Sequence, residues 1–156
     1  MIPQEVIDFI HSSHFGYVGS RDESMAPTVR RCWGTTVNDT KEVMIAYVVQ
    51  AQYEQMLKNL NDNGRVSLTL VGWPSFRSYQ LKGQFLRARA MTPDEVAFQQ
   101  QYRENPMSII REDYGYPSEM AELYVYHADM AIEFKVEKIF NQTPGPGAGK
   151  AIELEK

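Results

Sequence analysis

Cysteine is nearly missing from this 156-residue chain: Cys32 stands alone, so no internal disulfide forms and the expected setting is a reducing, cytoplasmic one. Histidine is almost as scarce. His11 and His14 lie three apart where a first helix should end, and only His127 remains to complete a ligand set. They read as solvated helix-end side chains, and no metal site is expected. No run approaches the ~20 apolar residues that span a bilayer, and Met1–Glu5 lacks the basic-then-apolar order of a secretion signal. There is no excess of positive charge either. Sixteen lysines and arginines stand against 20 acidic residues, and the net charge of −4 argues against a nucleic-acid binder. Also absent are a Gly-x-Ser-x-Gly elbow, a phosphate loop ending in Gly-Lys-Ser/Thr, a Cys-x-x-Cys pair and any internal repeat.

What is present is a hydrophobic content of 43%, ordinary for one packed domain. Ile2, Val6, Phe9 and Ile10 recur at helical spacing and predict a helix over Pro3–Ser13. Strands follow at Phe15–Ser20 and Pro27–Val37. Val43–Val49 is a continuous, β-branched apolar run, the pattern of a strand buried on both faces. The stripe Tyr53, Met56, Leu57 and Leu60 predicts a helix over Gln52–Asn61, stopped by Asn63-Gly64. Alternation predicts strands at Val66–Leu70, Tyr79–Ala90 and Ile132–Val136, with a bulge where the pattern slips near Lys138. Thr92-Pro93-Asp94-Glu95 opens a helix to about Glu104, and shorter helices are expected at Met107–Asp113 and Pro117–Tyr124. The glycine- and proline-rich Thr143–Gly149 has nothing to bury. The reading is therefore one domain over residues 1–145 and a flexible tail over 146–156. Six strands with short turns favour an antiparallel Greek-key barrel or sandwich over a doubly wound parallel sheet.

The chemistry-bearing stretch is Arg30-Arg31-Cys32-Trp33. Consecutive arginines on a strand point to opposite faces, and one facing inward or toward a neighbouring subunit needs an anion. A phosphate suits the planar guanidinium, while a carboxylate across an interface suits it equally. The turn Gln50–Tyr53 presents a helix N-terminus beside that strand, which strengthens the phosphate reading. Cys32 lies in a strand with no base near it in sequence, so it reads as a buried, inert thiol.

Three segments carry a resemblance. Asn63-Gly64-Arg65-Val66-Ser67-Leu68 resembles the Asn-Pro/Gly-Arg-Val-Ser pattern after the phosphate-site helix of pyridoxamine 5′-phosphate oxidase-like proteins. Pro27-Thr28-Val29-Arg30-Arg31 is similar to that family's strand bearing a phosphate-contacting arginine, and Ser78–Gly83 to its next long strand, whose glycine marks a close backbone approach. The resemblance implies a six-stranded split-barrel homodimer with FMN at the subunit interface and an oxidoreductase of unknown substrate. It implies Arg30 and Arg31 on the phosphate, Cys32 and Trp33 along the ring and ribityl chain, Val48, Val49 and Gln50 opposite, and Ser78 near the flavin. No side chain is expected as general acid or base.

The sequence departs from that family at two places. Where active members carry Ser-Arg-Lys at the start of the phosphate-site helix, this chain has Glu54-Gln55-Met56, and the nearest cation is Lys58, one turn on. Losing two charge-assisted contacts costs roughly 3–6 kcal/mol of phosphate binding. The Arg-x-His-type C-terminal signature of true pyridoxamine phosphate oxidases is missing, so the vitamin B6 reaction is not implied. Two alternatives stay open: a non-catalytic split barrel that has lost flavin or holds haem through His11, His14 or His127, and a dimeric interaction protein whose arginines pair with carboxylates.

Overall fold

The computed structural model describes residues 1–12, 14–102, 115 and 127–155. A single antiparallel sheet curls into a half-barrel. Its strands are β1 (His14–Arg21), β2 (Pro27–Cys32), β3 (Thr35–Val37), β4 (Val43–Val48), β5 (Arg65–Gly72), β6 (Ser78–Ala90) and β7 (Met130–Asn141), in the order β2-β1-β5-β6-β7-β4-β3. A two-residue β8 (Ala151–Ile152) pairs with β7. Helix α1 (Gln4–Ile10) and helix α2 (Glu54–Asn63) pack on the sheet, a 3-10 turn at Gln50–Gln52 leads into α2, and residues 93–102 are helical. The helices expected at Met107–Asp113 and Pro117–Tyr124 lie outside the described residues.

The expectation of six strands is corrected by one corner and one addition. Pro27–Val37, which reads as one strand, is split at Trp33-Gly34. Gly34 has φ +138°, a conformation other residues rarely adopt, and there the chain leaves β1 and joins β4. Trp33 N–H donates to Tyr47 O (2.7 Å) and Tyr47 N–H to Gly34 O (2.9 Å), so the corner itself is bonded to β4. The two outermost strands of the path, β2 and β3, are thus tied through two residues of chain. The addition is β8, within the segment expected to be a loose tail. Ile152 and Leu154 pack against the core there, the anchoring that the glycine-rich stretch lacks.

The apolar pattern explains the layers. Inward residues of β1 and β5, such as Val18, Leu68 and Leu70, join Val6, Phe9 and Ile10 of α1 and Met56 and Leu60 of α2 in one core. Strand β4 is covered on both sides as its sequence predicts. Met44, Ala46 and Val48 enter that core, while Ile45 and Tyr47 join Trp33, Ala128 and Ala131 in a second cluster.

The expected bulge is one residue from its predicted place. Lys82 pairs with Lys138 but Gly83 pairs with Val136, leaving Glu137 unpaired on β7. A second irregularity leaves Leu86 unpaired on β6, half exposed. Below it, Glu133 accepts from Arg87 Nε (2.8 Å) and Arg89 Nε (2.5 Å), and Arg89 also binds Glu95 at 2.7 Å. These guanidinium bonds hold the Glu133 carboxyl below the usual carboxylate range.

Candidate functional site

The two arginines diverge as strand geometry requires. Arg30 lies opposite Val18 and Arg31 opposite Tyr17 in the β1–β2 register, so they occupy opposite faces. Arg30 reaches the start of α2, where its Nε donates to Gln52 O (3.1 Å) and its Nη1 to Val29 O (2.9 Å). There it lines an open depression with Ala51, Gln52, Glu54, Gln55 and Lys58. The first helical bond of α2 runs from Leu57 N–H to Tyr53 O (2.8 Å), so the amides of Glu54, Gln55 and Met56 precede it and are turned toward this end. Gly64, at φ 67°, stops the helix at the far end.

Lys58 is tied to Glu54 by a bond of 2.9 Å, which lowers the Glu54 carboxyl below its ordinary range. The pair is locally neutral. With Arg30 the depression carries a net charge of +1, so the glutamate that departs from the family pattern is offset rather than left to repel an anion. Both partners are exposed, so the pair itself adds little stability.

Arg31 is held differently. Its guanidinium carbon sits 4.3 Å from the Trp33 ring centroid and 5.0 Å from that of Phe15. Its buried Nε has no hydrogen-bond partner among the described residues. Tyr53, fully buried, donates from its hydroxyl to Arg31 O (2.8 Å) and locks β2 to the start of α2. Burial pushes that phenol far above its ordinary value. Tyr53 stands where the sequence places it, in the turn before α2 and on that helix's apolar stripe, but its hydroxyl bond to β2 and the part of Phe15 were not expected. The signal for Phe15 was its place in the outward phase of β1, two residues before exposed Tyr17.

The remaining expected residues scatter. Cys32 is 2% exposed and packs against Gly16, where a Cβ would lie 2.3 Å from its sulfur. Val48 is fully buried in the main core, and Val49 is half-buried beside the Trp33 cluster. Gln50 is exposed, and its amide donates to Asp129 Oδ1 (2.8 Å), away from Arg30's depression. Ser78 is buried at the start of β6, with its hydroxyl given to Phe76 O (2.7 Å) and its amide to Thr143 Oγ1 (3.0 Å). The structure therefore brings Arg30 and Lys58 together and Arg31 with Trp33, on two faces of one strand.

His14 does not behave as a solvated helix-end residue. It is 1% exposed, its Nδ1 lies 2.8 Å from Ser12 O and its Nε2 2.9 Å from Thr35 Oγ1, and burial lowers it to about 4. Both of its ring nitrogens are engaged in those bonds, while His11 is exposed. His127 is also exposed.

Burial pushes the Cys32 thiol up to about 12. A thiol of that kind is almost wholly protonated at neutral pH. Iodoacetamide should leave native protein unlabelled over hours and label it fully once unfolded; rapid native labelling, read by mass spectrometry, would contradict the burial.

No protein-family model matches the sequence, and no curated protein matches it. Solved structures do. HupZ of Group A Streptococcus is similar at a TM-score of 0.58 and 20% identity, covering 96% of this chain and 100% of that one. A protein of Clostridium acetobutylicum related to general stress protein 26, of the pyridoxinephosphate oxidase family, gives 0.51 at 14% identity, covering 96% and 92%. An FMN-binding protein from Syntrophomonas wolfei gives 0.51 at 10% identity, covering 88% and 82%. At these identities the likeness speaks to architecture: this chain has the split-barrel fold of the pyridoxamine 5′-phosphate oxidase-like proteins.

Proposed function

We propose that this chain binds FMN and serves as a flavin-dependent oxidoreductase, with the phosphate seated in the depression at Arg30. The observation that carries this reading is Arg30 beside the N-terminal amides of α2, a charge-assisted fork and a positive dipole end on one recess. The FMN-binding neighbour with the same fold supports it. Bound flavin would supply two-electron or hydride chemistry. The chain's part is binding and orientation: Arg30 and Lys58 at the phosphate end, Arg31 and Trp33 toward the ring. Cys32 and Val48 act only as packing behind them. We further infer a homodimer with the ligand at its interface, since the outward face shows Tyr17 (42% exposed) and Val29 (55% exposed) beside the Arg31 sandwich.

FMN titration, followed by quenching of its fluorescence, tests the reading. Wild type should saturate, and Arg30→Ala should weaken binding by at least about tenfold, the effect of one lost charge-assisted bond. Its melting temperature should stay close to wild type, because Arg30 is exposed. Wild-type protein that takes up no FMN, or an Arg30→Ala variant that titrates identically, would end the proposal.

A further inference from the structure

A second recess lies on the outward face, four residues further along the strands from the row that holds Phe15, Val71 and Ser78. Its volume is about 440 Å³, and Arg21, Arg65, Lys82, Lys138 and Glu137 line it. Four cations against one carboxylate give a local charge of +3 in a chain whose net charge is −4. Glu137 is already committed to Arg65, at 3.3 Å. Gly19 contributes no side chain to the wall; a Cβ there would come within 2.7 Å of Ser67 Oγ.

The bulge on β7 builds this charge. Gln84 pairs with Lys135 and Gly83 with Val136. Continued without a bulge, that register would set Glu137 opposite Lys82, an attractive cross-strand pair. The extra residue instead brings Lys138 opposite Lys82. Like charges directly opposed on neighbouring strands are destabilising. Among the described residues neither lysine forms an ion pair, and Lys82 lies over the Phe140 ring, 5.1 Å from its centroid.

We propose that this recess binds a small phosphate polyanion carrying at least two negative charges. Arg65 and Arg21 supply planar forks at its rim, and the lysine pair supplies point charges across it. The site is separate from Arg30's depression and stands whether or not FMN binds there.

Calorimetric titration of the full chain with inorganic pyrophosphate at ~150 mM salt, where weak surface attraction is screened, is the test. Wild type should saturate with at least one site per chain. A Lys82→Gln/Lys138→Gln variant should bind at least about tenfold more weakly at this recess, and Lys150→Gln, an exposed cation that lines neither recess, should bind as wild type does. Without pyrophosphate, Lys138→Gln should melt no lower than wild type in low salt, since a repulsion has been removed. No saturation, equal affinity in the double variant, weakened binding with Lys150→Gln, or a lower melting point for Lys138→Gln would each overturn the proposal. So would a double variant that changes the oligomeric state while keeping its pyrophosphate affinity, which would make the patch a contact between copies.

Discussion

Gly83→Ala should cost at least about 3 kcal/mol, the upper range of overpacking penalties. A Cβ at Gly83 would lie 1.9 Å from Lys135 O and 2.9 Å from the carbonyl carbon. These are backbone atoms of the paired strand, so no rotamer change relieves the contact. The bulge at Glu137 must open or β6 must part from β7. Those two strands form the longest pairing in the sheet, from Tyr79–Asn141 to Ala90–Met130. For a domain of this size that energy corresponds to a fall of roughly 10 °C in melting temperature. Gly147→Ala is the control, because its Cβ would meet only Asn141 Nδ2 at an ordinary 3.4 Å. Equal melting of the two variants would refute the close approach. Family resemblance suggested a tight backbone approach at this glycine, and the partner is β7.

Between pH 6.5 and about 4 the protein should lose roughly 3 kcal/mol of stability through His14 alone. Desolvation lowers the native imidazole from 6.5 to about 4, outweighing the bond to Ser12 O, which raises it. The unfolded chain takes up the proton first. Stability is therefore undiminished above pH 6.5, falls as the pH drops, and stops falling on this account below about 4. What faces the ring is Phe9, Tyr102 and the Thr35 hydroxyl, and among the described residues no charged group offsets the burial. Glu133 and Glu95, held low by Arg87 and Arg89, act in a lower window: their contribution is present above about 4.5 and fades as the pH falls through their native values. Urea unfolding at pH 7.5, 6.5, 5.5 and 4.5 separates the two. His14→Gln should be less stable at pH 7.5 but flatter down to 4.5. A slope equal to wild type would assign the acid sensitivity elsewhere.

Much of this architecture was legible because its signals are local. Alternation in Val66–Leu70 and the heptad-like stripe from Tyr53 to Leu60 each record a single buried face. The corner at Trp33-Gly34 was not legible. Both halves of Pro27–Val37 are extended, and only the choice of partner, β1 or β4, distinguishes them. Strand β8 was hidden for a similar reason, since two residues carry no period. In the site, the divergence of Arg30 and Arg31 followed from backbone geometry alone. The contact of Arg30 with Gln52, and the Phe15–Arg31–Trp33 sandwich, depend on register across strands and could not be counted along the sequence. His14 was misjudged because a polar residue at a helix end usually meets water. Here it begins β1, in the inward phase.

The corner at Trp33-Gly34 also governs how this molecule can associate. A sheet with loose borders invites another chain to extend its ladder. Here the two borders belong to consecutive segments. One, β2, is braced from the side by Arg30 to Gln52 O and by Tyr53 to Arg31 O. The other, β3, is three residues long. Little is left for templated growth, in which copies add rung by rung. Self-association of the native fold is thereby steered to the broad faces of the sheet, where the number of copies is limited by shape, and away from open-ended fibres.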